Sequence, residues 1–128
     1  MLHRVPRQDA AAVTAADDAA VQRDGPRCRR CGKDLHGQSA SKHHRKLKGR
    51  KTPVREWDLV ENIVVLCGSG TTGCHGWAHH NRTEAAATGW VVASWDTPAD
   101  VALVDTRGQR FTLTPEGTVV YDYAGPVL

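Results

Sequence analysis

An α+β architecture is what this sequence predicts, and three observations carry the prediction. A β-branched apolar run, Leu59–Leu66, leads directly into Cys67. A helical candidate over His75–Thr88 follows, with Gly89 placed to end it. Beyond it, short alternating runs separated by Pro/Gly turns have the pattern of a small β-meander.

The chain has 128 residues, enough for one domain with a small appendage. A core of that size is modest, and a metal staple would add to it. No run of about 18 apolar residues is present, and the N-terminus lacks a signal-peptide core. The expectation is a cytoplasmic protein without membrane contact. Residues 1–24 are rich in Ala and Asp. The run Asp9–Val21 could form a helix on propensity, but it shows no convincing apolar stripe and an isolated helix of that length is marginal. Residues 1–24 therefore read as a flexible N-terminal arm, disordered or loosely helical.

Charge is distributed unevenly. Residues 21–60 hold twelve Lys/Arg against four Asp/Glu, whereas residues 61–128 hold three against seven. A basic excess confined to one third of a chain points to a polyanionic partner. It is densest in Ser41–Lys51, where six of eleven residues are Lys or Arg and His43 and His44 stand side by side. On an extended strand adjacent side chains face opposite ways, so one imidazole can hold an ion while the other addresses a neighbour.

The four cysteines fall in two pairs. Cys28 and Cys31 form a CxxC pair followed by Gly32, in a setting of Arg and Lys that favours thiolates. Cys67 and Cys74 are separated by Gly-Ser-Gly-Thr-Thr-Gly, a spacer flexible enough to loop out and return. Four cysteines in a reducing compartment point to one structural Zn2+ site rather than two disulfides. Buried thiols and a CxxC redox pair are the alternatives. The spacer amides are also candidates for a phosphate contact.

On the helical candidate, His75 and His79 are four residues apart and share a face. Arg82, three further on, can meet a phosphate there. His36 and His80 read as surface residues. Asn62 precedes the most apolar part of the strand run. Gly89–Trp95 reads as a strand or edge segment with two aromatic anchors, followed by strand runs at Val101–Val104, Arg110–Leu113 and Thr118–Tyr123.

The order His43-His44, Asn62, His75 and His79, framed by the cysteine pairs, resembles the HNH endonuclease family. It is most similar to the small HNH proteins of actinobacterial viruses. The phrases HHRKLKGR, NIVVLCGSGTTGCHGWAHHNR and GWVV carry that resemblance over residues 27–92. It implies a ββα-metal core over residues 25–92 with a zinc knuckle, leaving residues 93–128 as a β appendage packed on it. It implies His44 as general base, Asn62 as the residue that holds the loop and orients it, and His43, His75 and His79 as ligands of a catalytic ion (Mg2+, Mn2+, Ni2+ or Zn2+). Arg45, Lys46, Lys48 and Arg50 would grip the DNA backbone. The implied activity is hydrolysis of DNA phosphodiester bonds, with viral terminase subunits as further partners. The rival reading is a non-catalytic zinc-binding adaptor for nucleic acid, in which the histidines are incidental.

Overall fold

The computed structural model describes residues 10–47 and 57–122. It is α+β, with two small antiparallel sheets and three helices among the described residues. Helix α1 (Ala10–Asp24) leads through the knuckle loop to strand β1 (Ala40–His44). A 3-10 turn, Val60–Asn62, then leads into strand β2 (Ile63–Cys67). β1 and β2 pair antiparallel, with His43 opposite Val64 and His44 opposite Ile63. Helices α2 (Gly73–His80) and α3 (Arg82–Ala87) follow, and then strands β3 (Leu103–Val104), β4 (Arg110–Leu113) and β5 (Val119–Asp122). The last three form an antiparallel meander.

β2 is buried at all five positions. Ile63 joins one apolar cluster and Val64, Val65, Leu66 and Cys67 another, so both faces are covered, which explains a continuous apolar run where a half-exposed strand would alternate. Ile63 packs with Val60 and Ala20 of α1. Val64 and Leu66 join Ala78, Ala85, Trp90, Leu103, Phe111 and Leu113. The meander thus shares its apolar cluster with β2 and the helices.

Within the expected flexible arm, Ala10–Asp24 forms a 15-residue helix that is packed rather than loose. Its packing surface is alanine: Ala16, Ala19 and Ala20 lie against Val60 and Ile63. Small residues at helical spacing permit close approach but leave almost no amphipathic signature.

The end of α1 also closes the open edge of β2. Asp24 Oδ2 accepts from the Val65 amide at 2.9 Å, and the Arg29 amide donates to the Val65 carbonyl at 2.8 Å. Arg23 donates to the carbonyls of Val60 and Ile63. Arg23 and Arg29 both pair with Asp24 Oδ1, at 2.7 and 2.8 Å. The Asp24 side chain is fully buried and that of Arg23 nearly so.

The helix expected over His75–Thr88 is two helices, broken at Asn81 (φ −124°, ψ 57°). Thr72 stands at the N-cap position without a side-chain cap bond. Gly89–Trp95 forms no strand; Val92 makes an isolated parallel bridge to Lys46. Of the two expected anchors Trp90 is fully buried, but Trp95 is 84% exposed. Among the described residues no helix is long and apolar enough to cross a membrane.

Truncating Asp24 to Ala would leave Arg23 buried without its carboxylate and the β2 edge open. Loss of one partner from a buried ion pair costs about 3–5 kcal/mol. Chemical denaturation of Asp24→Ala should show a loss in that range, with little effect from Asp34→Ala at the exposed pair with His36.

Candidate metal centres

The knuckle begins with a tight turn after Pro26. The Gly32 amide donates to the Cys28 carbonyl and the Cys28 amide to the Lys33 carbonyl, both at 2.9 Å. This brings Cys28 and Cys31 to one side. The second pair is closed by the spacer, where Gly68 and Gly73 both have positive φ. A Cβ on Gly68 would lie 2.1 Å from the Thr72 carbonyl oxygen, and one on Gly73 would lie 2.5 Å from that of Cys67. Only glycine permits a loop this narrow. The amides of Ser69, Thr71 and Thr72 are bonded within the loop, and that of Gly68 bonds to the Ser39 carbonyl. The spacer therefore closes the wide cysteine pair, and these amides are not presented to a phosphate.

The four Sγ atoms lie within 4.8 Å of one another. Cys28, Cys67 and Cys74 are buried. Backbone amides of Cys31 and Cys74 point at the sulfurs of Cys28 and Cys67, at 3.5 and 3.3 Å. Arg30 donates to Cys74 Sγ at 3.3 Å while its guanidinium lies 3.5 Å over the Trp77 ring. These groups stabilise negative sulfur. The Cys74 thiol, hydrogen-bonded to Cys28, holds the Cys28 thiol down to about 4, and the same contact pushes Cys74 far up. Four convergent sulfurs fit a structural ion such as zinc, whose binding would hold all four as thiolates.

The second cluster starts one residue after Cys74. His75 and His79 on α2 meet with their Nε2 atoms 3.0 Å apart. His43, on β1, faces both, with ring centroids 5.1 and 5.7 Å away. Its Nε2 donates to the Trp90 carbonyl at 2.7 Å, which fixes the tautomer and leaves Nδ1 its lone pair. One ligand nitrogen from each of the three lies within 4.8 Å of the others. Burial holds His43 down to about 4, against the pull of the Trp90 carbonyl. Burial also lowers His75, helped by His79 and His44. His75 Nδ1 is buried without a hydrogen-bond partner among the described residues. Neutral imidazoles that converge in this way fit a divalent ion.

An open cleft of about 410 Å3 lies over this cluster, lined also by His44, Lys42 and Leu47. Asn62, fully buried, sits behind it. Its Oδ1 accepts from the Lys46 amide at 2.7 Å, and its Nδ2 donates to the carbonyls of Lys46 and Trp57 at 3.2 and 3.1 Å. One amide thereby fastens both roots of the basic stretch between Leu47 and Trp57.

The expected DNA grip is corrected at two positions. Arg45 is fully buried and donates to four carbonyls, those of Gly89, Glu61, Pro98 and Val101, at 2.7–3.0 Å. Burial pulls its guanidinium down to about 9. Lys46 is 2% exposed, and its Nζ donates to the Asp96 carbonyl at 2.6 Å. Both are internal struts, because alternation from His43 turns Arg45 inward and the chain then bends under residues 92–96. Lys48 and Arg50 lie outside the described residues. Arg82 is exposed at the start of α3 and does not line the cleft. Lys42, which does, is not among the site residues expected from the sequence. Its position two before His44 on an extended strand is the signal that places it on the His44 side. The Trp90 carbonyl, a backbone group from a distant segment, left no signal. Compared with protein-family models, curated proteins and solved structures, the chain matches none.

Replacing Cys31 with Ser should remove one zinc per chain in metal analysis. The thermal midpoint should fall by on the order of 10 °C, since the binding energy of a structural ion is folding energy. A second expectation follows from His43. Its folded value lies below the unfolded value of about 6.5, so the unfolded chain binds the proton first. The associated stability is present above about pH 6.5 and is lost as pH falls towards about 4. Thermal melts from pH 7 to 4.5 should therefore fall more steeply for the wild type than for His43→Gln.

Proposed function

We propose that this chain is a metal-dependent DNA endonuclease of the HNH type, with β1, β2 and α2 as its ββα-metal core. The observation that carries the reading is the convergence of His43, His75 and His79 beneath an open cleft with His44 on its wall. An adaptor held together by its cysteines has no need of three imidazoles brought within 4.8 Å of one another from a strand and a helix.

His43, His75 and His79 would hold the catalytic ion. When bound, it would neutralise charge on the scissile phosphate and assist the departing oxygen. Three imidazoles without a carboxylate favour a borderline ion such as Zn2+ or Ni2+ over Mg2+ and Mn2+, which prefer oxygen ligands. His44 accepts the proton of the attacking water, the general-base role that an imidazole fills most often. The Trp90 carbonyl keeps the His43 ring in register. Asn62 holds the chain immediately after His44, so that the base is presented from a fixed strand end. Lys42 supplies positive charge at the cleft, and Lys48 and Arg50 add phosphate contacts. A part in viral DNA packaging alongside terminase subunits belongs to the same reading.

Plasmid cleavage with a panel of divalent ions tests it. His44→Ala should reduce the rate by about 10²–10⁴-fold while thermal midpoint and zinc content stay at wild-type values. Cleavage by His44→Ala at the wild-type rate would remove His44 as the base. Absence of cleavage with every ion in the wild type would favour the adaptor.

A further inference from the structure

The nuclease reading leaves idle a second charged hollow, on the far side of the knuckle cysteines. It has a volume of about 210 Å3 and lies between the knuckle loop and the meander. Arg27 and Arg29 reach it from the loop, and Arg107 from the turn that joins β3 to β4. Phe111 and Tyr121, with ring centroids 6.0 Å apart, form its apolar wall.

The charges here are unequally committed. Asp24 is buried and shared between Arg23 and Arg29. Asp105 accepts from the amides of Arg107 and Gln109 through Oδ1, at 2.9 and 3.0 Å, and meets the Arg107 guanidinium only at 3.8 Å. Arg30 is turned to Cys74 and is the cation that answers the thiolates. That leaves Arg27, whose guanidinium has a backbone partner, the Gly32 carbonyl at 3.2 Å, and Arg107, whose side chain is 77% exposed. Arg29 is held rigid by Asp24 and the Arg23 carbonyl, with its guanidinium 5.8 Å from the centre of the Phe111 ring. A fixed cation between two outward ones is preorganised for an anion.

We propose that this hollow binds a phosphate group, with Arg27 and Arg107 closing on it from opposite sides above Arg29. A planar carboxylate is satisfied by one guanidinium in a bidentate pair. Three guanidiniums arriving from two segments suit a tetrahedral anion with several acceptor oxygens. The phosphate belongs either to a nucleic-acid backbone or to free inorganic phosphate, and binding does not depend on chemistry at the histidine cleft.

The test uses the full zinc-loaded chain and the double variant Arg27→Gln/Arg107→Gln. Inorganic phosphate is titrated while the amide resonances of Gly32 and Thr106 are followed. A short DNA duplex is titrated separately at several salt concentrations. Phosphate should shift both resonances saturably in the wild type, and the variant should bind at least about tenfold more weakly. Weaker duplex binding by the variant, with a salt slope reduced by roughly two, assigns the phosphate to a nucleic-acid backbone. Loss of phosphate binding with unchanged duplex binding assigns it to free phosphate. The proposal is overturned if phosphate leaves both resonances unmoved, or if the variant titrates as the wild type does. Should the variant fail to fold, the wild-type phosphate titration alone decides.

Discussion

The buried carboxylate of Asp24 is the interaction on which the rest of this structure depends. Among the described residues β2 has a partner strand on one edge only. Its other edge would present bare amides and carbonyls to the interior, at a cost of about 1–3 kcal/mol for each unsatisfied group. Asp24 and the Arg29 amide satisfy Val65, and Arg23 satisfies Val60 and Ile63. The same carboxylate ties the end of α1 to the first residues of the knuckle through Arg29. Strand, helix and cysteine turn are held at one point, and β2 delivers Cys67 from there.

From Cys67 the chain makes one narrow glycine loop and arrives at Cys74 and His75. Adjacent residues at the start of α2 therefore belong to two different clusters, one of sulfurs and one of imidazoles. The sulfur cluster anchors the helix start against the knuckle, and the helix then presents His75 and His79 along one face to His43. Any ion held by the four sulfurs would set the position of the imidazoles through a single peptide bond. The division of labour follows from ligand chemistry: four thiolates saturate an ion, whereas three imidazoles leave positions open.

Much of the candidate site was legible because metal ligands are rare residue types with strict spacing. The CxxC pair, the wide Cys67/Cys74 pair and the i, i+4 histidines each carry a local rule, and the structure brings both sets together. The meander was legible for a similar reason, since its turns at Asp105–Gly108 and Thr114–Gly117 end in glycines with positive φ. The basic stretch misled at Arg45 and Lys46 because cations are normally solvated. Arg45 is instead fully buried among carbonyls from four separate positions, none of which is its neighbour in sequence. The packing of helix α1 went unread for the opposite reason, since an alanine surface buries well against a strand yet carries almost no hydropathy signal.

The sequence by itself determined which atoms can bind metal, where the chain must turn, and that a β-branched apolar strand leads into Cys67, because these depend on residue type and local spacing. Tertiary structure alone decided which cations are buried and which face outward, that the Trp90 carbonyl fixes the His43 tautomer, and that Asn62 ties both roots of the basic stretch. Those outcomes rest on backbone carbonyls and amides. Every residue carries them, so only their placement in space distinguishes one from another.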